Sequence, residues 1–172
     1  SKPPVGLRSV FKKALERVEY CFSHIRRKYY LENEQVFFDH LNADHMATFI
    51  YFFSNTLWRE QEDTALATRL FYLNKILHGI DLYYSVPMPD IFMLVHPLGT
   101  VLGKASYQNF LVVYQNVTVG TDAVIYPSFG EGTILYSRSS VIGDCVIGDN
   151  TVFSANSFLV NTNITSNQVV LG

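Results

Sequence analysis

A six-residue register limits what this chain can fold into more than any other feature. Read in sixes from Leu111, the sequence runs Leu111, Val117, Ala123, Phe129, Leu135, Val141, Ile147, Phe153, Leu159, Thr165, Leu171, and ten of these eleven residues are apolar. Four places after most of them stands a small or turn-compatible residue: Thr121, Pro127, Thr133, Ser139, Cys145, Thr151, Ser157. Strands alternate with period two and helices with period 3.6, so neither holds a strict register of six over this length. Hexapeptides that each make one short strand and one corner do hold it. Three of them close a triangular coil, and one inward side chain per face fills the prism. Residues 92–172 then make about four and a half coils, roughly 20 Å of prism at about 4.8 Å per coil.

Charge divides the chain in the same place. Residues 1–90 hold 22 Asp, Glu, Lys and Arg, and residues 91–172 hold only 6. A coil interior admits no charge, which explains the second number. The first half reads as helix. Phe11, Leu15, Val18, Phe22, Ile25 and Tyr29 form one helical stripe, a second helix starts at Asn42 as N-cap with Met46, Phe49, Ile50, Phe53 and Leu57 inward, and a third runs from Asp63 to a stop at Gly79, with Leu66, Leu70, Leu73 and Leu77 recurring. The fold class expected is α+β: an N-terminal α-helical region over 1–80, then a parallel β-helix of hexapeptide repeats over 81–172.

Several function classes recede on composition. The 172 residues are 48% apolar with a formal charge of -2, so a core is available and no global basic field points to nucleic acid. No apolar run is long enough to insert into a membrane, and Ser1-Lys2-Pro3-Pro4 leads into charge rather than a signal segment. Two cysteines in different halves, Cys21 and Cys145, fit free thiols in a cytoplasmic protein. Arg26-Arg27-Lys28 reads as a solvated helix end. Asp44 and His45, with His40 nearby, have no matching second cluster, and no metal is expected.

The prism half contains one histidine, His96. The stretch Phe92-Met93-Leu94-Val95-His96-Pro97-Leu98-Gly99-Thr100-Val101-Leu102-Gly103, followed by Gln115-Asn116-Val117-Thr118-Val119-Gly120, resembles the serine acetyltransferase family of hexapeptide acyltransferases. The likeness covers roughly residues 71 to 172 and implies a left-handed β-helix, a homotrimer and acetyl-CoA as co-substrate. It also implies that His96 is the general base, taking a proton from an acceptor hydroxyl as that oxygen attacks the thioester. Asp81, fifteen residues earlier in Gly79-Ile80-Asp81, is the orienting carboxylate the family implies, and Asp90 is its rival. The positions matching the family's acetyl-CoA groove are Gly120, Thr121, Ser137 and Ala155, with Gly132 near them. Lys104 and Arg138, the only Lys or Arg in the prism half, are candidates for the nucleotide phosphates.

The sequence also departs from the family. Val95 replaces an Asp that grips the amino-acid substrate, Ile125-Tyr126 replaces an Arg-His pair, and Thr121-Asp122-Ala123 runs straight into the next coil where the family has a long loop. Aromatic residues are expected around His96 instead: Tyr83, Tyr84, Tyr107, Phe110, Tyr114 and Tyr126. Among these, Tyr84, Tyr114 and Tyr126 are the candidate substrate contacts. The expected activity is O-acetylation of a small-molecule acceptor, a sugar of a surface polysaccharide or its precursor. Serine O-acetylation and a non-enzymatic trimeric assembly module are the alternatives. The helical region is a candidate contact for higher assembly. A zinc site of the kind found in carbonic anhydrases on this fold needs several converging histidines, and the prism has one.

Overall fold

The structure, a computed structural model, describes residues 6–121 and 124–172. Ser1 to Pro4, Asp122 and the register residue Ala123 lie outside the described residues. The helical half contains α1 (Leu7–Ser23), a hairpin of β1 (Leu31–Glu32) and β2 (Gln35–Val36), α2 (Ala43–Gln61) and α3 (Thr64–His78). Asn42 caps α2 as expected, its side chain accepting from the backbone N–H groups of Asp44 and His45. Asp63 caps α3, and Gly79 ends it in the left-handed conformation at φ 65°. Two details differ from the sequence reading. The first helix ends at Ser23 rather than near Tyr29, because His24 N–H turns back to Cys21 O and the chain enters the hairpin. On α3 the buried residues are Ala67 and Asn74, while Tyr72, Leu73, Ile76 and Leu77 are exposed.

Thirteen short strands follow: β3 (Asp81–Leu82), β4 (Phe92–Val95), β5 (Val101–Leu102), β6 (Ser106–Tyr107), β7 (Leu111–Tyr114), β8 (Thr118–Gly120), β9 (Ser128–Phe129), β10 (Ile134–Leu135), β11 (Ser140–Ile142), β12 (Val146–Ile147), β13 (Val152–Phe153), β14 (Phe158–Val160) and β15 (Val169–Val170). They stack in parallel on three faces, in the orders β4-β7-β10-β13-β15, β3-β5-β8-β11-β14 and β6-β9-β12. This is the expected parallel β-helix behind three helices. Each face repeats once per coil, so every strand pairs with the one above and below and burial falls on alternate residues.

The register holds from Phe129 to Leu159 and changes phase on either side: above it Ile147 pairs with Ile164 and Phe153 with Val170, 17 residues apart, so Ile164 and Val170 take the places expected of Thr165 and Leu171. Phe129, Leu135, Val141, Ile147, Phe153 and Leu159 all point inward, and their coils repeat after 18 residues, as in Phe129↔Ile147 and Leu135↔Phe153. Below them the pairs Tyr107↔Phe129, Val113↔Leu135 and Val119↔Val141 are separated by 22. Four extra residues therefore lie between Val119 and Phe129, and the true partners of the upper register are Tyr107, Val113 and Val119, each four places before Leu111, Val117 and Ala123 respectively. The chain does not run straight on after Thr121. Within this protrusion Thr121 Oγ1 donates to Ile125 O at 2.6 Å, and Val124 and Ile125 are exposed.

A single apolar cluster passes from Val18 and Phe22 of α1 and Phe52 of α2 through Ile80, Leu82 and Phe92 into the prism interior of Leu94, Val113, Leu135 and Phe153. The helices and the β-helix thus share one core. Burial of the lowest coil against α1 and α2 covers what would be an exposed coil end.

Candidate active site

His96 stands at the corner between β4 and β5. Five residues, 96 to 100, make that corner, whereas three, 115 to 117, make the corresponding corner between β7 and β8. The two additional residues push this corner outward. His96 takes a left-handed conformation, φ 49°, and is exposed. A non-glycine residue pays for that conformation, so something must hold it. The holding contact comes from the helical half: His96 N–H donates to Asp44 Oδ1 at 2.9 Å. Burial raises the Asp44 pKa, and the His96 N–H and imidazole act in the opposite direction.

Neither carboxylate expected beside His96 is found hydrogen-bonded to it. Asp81 pairs in register with Val101, beyond the His96 corner, and its carboxylate meets Lys75 Nζ at 2.6 Å. The count of fifteen residues to His96 came close to one coil, but the enlarged corner displaces the stacking. Asp90 is exposed and lines a cavity of about 610 Å³ with Lys13, Arg17 and Arg59. Arg59 is in the last turn of α2 and Asp44 in its first. The two lie roughly 22 Å apart along the helix axis, so Asp90 sits at the wrong end of α2 for His96.

The groove candidates separate by corner. The pairs Val95↔Tyr114, Val113↔Leu135 and Leu135↔Phe153 bring His96, Gln115, Ser137 and Ala155 into one column. Asn156 N–H donates to Ser137 O at 3.0 Å between the upper two levels. Arg138, with φ 62°, is exposed beside Ser137 on this edge. Gly120 and Thr121 belong to the next corner, after β8. Gly132 lies on the third, where φ 72° and an Asn150 Oδ1 that a Cβ would approach to 2.8 Å account for glycine. One chain therefore does not bring all five together.

The tyrosines separate as well. Tyr114 is on the outer surface of β7, level with Val95, and its ring lies 4.8 Å from that of Tyr136 one coil above. Tyr126 follows β8 on the second corner, under Lys104 Nζ at 5.1 Å from its ring centre. Tyr84 is a core residue. It is buried with Val10, Leu57 and Ala67, and its hydroxyl accepts from Tyr83 Oη at 2.7 Å. Its expected role as a substrate contact is corrected: packing at the far end of α2 explains it. Tyr107 is interior too, donating to Gly103 O at 2.8 Å and stacked on Phe129.

Sequence reasoning passed over two residues. Asp44 looked like part of a surface polar turn, and nothing in its spacing signals a partner 52 residues away. Gln115 is next to His96 in the corner column, and its Oε1 is buried with no hydrogen-bond partner. His45, beside Asp44, is ringed by Phe22, Tyr30 and Phe38, and no group of three or more metal-ligating side chains forms among the described residues.

This fold and this corner can be set beside known proteins. A putative serine acetyltransferase of Schizosaccharomyces pombe is 26% identical over 128 residues, which is 72% of this chain and 47% of that protein. A serine acetyltransferase isoform of Entamoeba histolytica, solved with cysteine, superposes with TM-score 0.77 at 21% identity, covering 96% of this chain and 60% of the other. This chain is similar to the serine acetyltransferases and has their fold. A serine acetyltransferase solved with CoA agrees at TM-score 0.69 and 18% identity over 97% of this chain and 67% of the other. No protein-family profile matches. The chain spans about half the length of the curated relatives it matches. No helix among the described residues is long and apolar enough to cross a membrane.

Proposed function

We propose that this chain is an acetyl-CoA-dependent O-acetyltransferase of the serine acetyltransferase type, with His96 as general base. The observation that carries the reading is the enlarged corner: it projects an exposed imidazole at the foot of a column whose upper members, Ser137 and Ala155, are small. Small residues on stacked corners leave room for an extended pantetheine arm, and Arg138 on the same edge suits a phosphate. His96 takes the acceptor hydroxyl proton as that oxygen attacks the thioester carbonyl. The C–S bond then breaks, and the imidazolium returns the proton to the CoA thiolate.

The acceptor we favour is serine or a similar hydroxy amino acid. The curated relatives named above and the sequence comparison with a Synechococcus elongatus serine acetyltransferase support it. The sugar acceptor expected from the tyrosines loses ground, since Tyr84 is buried and Tyr126 is on another corner. Gly120, Thr121, Tyr126 and Lys104 would complete the site from a second copy, as in a homotrimer in the cytoplasm. Exposed Val101, Val146 and Phe158 on the prism faces favour such contacts, and the exposed α3 residues favour a further one.

The test is release of free CoA from acetyl-CoA, read by thiol titration across serine, amino sugars and neutral hexoses. Serine turnover above every sugar, reduced about a hundred-fold or more by His96→Ala with oligomeric state unchanged, is the expected result. Faster turnover of a sugar restores the sugar reading, and no turnover with any acceptor leaves the assembly module.

A further inference from the structure

The helical half does more than cover the lowest coil. Its contact with the His96 corner is a directed one, made by an acidic residue whose backbone is fixed by two hydrogen bonds. Asp44 N–H donates to Asn42 Oδ1 at 2.9 Å, and Asp44 O accepts from Thr48 Oγ1 at 2.8 Å. The residue sits in the first turn of α2, where the helix dipole favours a carboxylate. The backbone of Asp44 is thus held within the helical half, and its side-chain Oδ1 is the acceptor for His96 N–H at 2.9 Å.

The need for such an acceptor follows from the corner itself. In the coils above, positive-φ positions on this edge are Asn116, Arg138 and Asn156, each tied to the coil below by its own N–H: Asn116 to Leu98 O, Arg138 to Gln115 O, Asn156 to Ser137 O. In the coil of His96 their counterpart is Gly99, φ 73°, whose N–H donates to Gly79 O at 3.0 Å, so His96, three residues earlier at the start of the enlarged corner, is an additional left-handed position outside that column of bonds. The acceptor for its N–H comes from the helical half, as Asp44 Oδ1. Asp81 is engaged with Lys75, and Asp90 lies at the opposite end of α2.

We propose that Asp44 is the positioning residue for His96: by accepting the His96 backbone N–H it holds the left-handed turn that projects the imidazole toward the acceptor. This rests on the acyl-transfer reading above. The role is one of geometry, so asparagine, which keeps an acceptor oxygen in the same place, substitutes for aspartate, and alanine does not.

Two variants of the full chain, Asp44→Ala and Asp44→Asn, are compared by steady-state kinetics and by amide hydrogen exchange at His96. In Asp44→Ala, kcat is expected to fall about ten-fold or more with KM for acetyl-CoA within about two-fold, and the His96 amide to exchange about ten-fold faster while amides of the upper coils are unchanged. In Asp44→Asn, both kcat and exchange stay within about three-fold of the parent. An alanine variant with parental kcat overturns the proposal. So does an asparagine variant as impaired as alanine, which would assign the effect to charge, and so does accelerated exchange throughout the β-helix, which would make the contact merely structural. Absence of acyl transfer by the parent overturns the acyl-transfer reading itself. Protection of the His96 amide in the parent, lost in Asp44→Ala, then still supports the pin, and its retention in Asp44→Ala overturns it.

Discussion

Replacing Tyr51 by phenylalanine removes one oxygen from the seam where α2 meets the segment leading into the β-helix. The Tyr51 hydroxyl donates to Val86 O at 2.6 Å and accepts from Met88 N–H at 3.1 Å, and all three residues are buried. Burial pushes its pKa up to about 12, so it remains a donor at neutral pH. A buried donor or acceptor left without a partner costs about 1–3 kcal/mol, and two such groups are exposed to that loss here. They also bond to each other, Met88 N–H to Val86 O at 3.0 Å, and that contact survives the substitution. The expected destabilisation is therefore about 1–2 kcal/mol rather than twice that, since the ring and its contacts with Phe52 and Phe92 remain. Urea unfolding followed by fluorescence and by far-ultraviolet circular dichroism reads it as a lower midpoint with unchanged slope. Tyr83→Phe is the control, because its hydroxyl is on a more exposed residue and bonds side-chain hydroxyls rather than buried backbone groups. A Tyr51→Phe loss no larger than that of Tyr83→Phe would refute the reasoning that this hydroxyl ties the two halves.

Burial lowers the pKa of His45, and its Nε2 has no partner, so the fold favours the neutral ring. Its contribution is fully present above the ordinary value of 6.5 and is lost as pH falls below it; His45→Phe should flatten the decline in melting temperature between pH 7 and 5, and an unchanged decline would count against this assignment. Tyr84→Phe should leave kcat and the acceptor KM within about two-fold of the parent, because the hydroxyl faces Tyr83 inside the helical cluster; a raised acceptor KM in steady-state assays would return Tyr84 to the substrate site.

The period of six was enough to specify a solenoid, because it is a local property: each hexapeptide must place one apolar side chain inward and one turn-forming residue at a corner, wherever it falls in the chain. Asn42, Asp63 and Gly79 were likewise legible as helix ends, since capping depends on residues only a few places apart. The phase below Val119 was not, because the four residues added before Phe129 are apolar enough to pass for another repeat. Gly120 stands 17 residues before Ser137, close to one coil, and only the four inserted residues put the two on different corners.

The sequence by itself therefore determined the repeating architecture and singled out His96 as the lone histidine of the prism. Tertiary structure alone decided what surrounds it. Asp44 reaches His96 across 52 residues, Asp90 ends up beyond the other end of α2, and Tyr84 is enclosed by helices. These outcomes are set by how the helices pack on the lowest coil, through apolar surfaces whose fit no local spacing encodes. Period is written residue by residue along the chain. The company a side chain keeps at a seam is settled only when two differently built halves share one core.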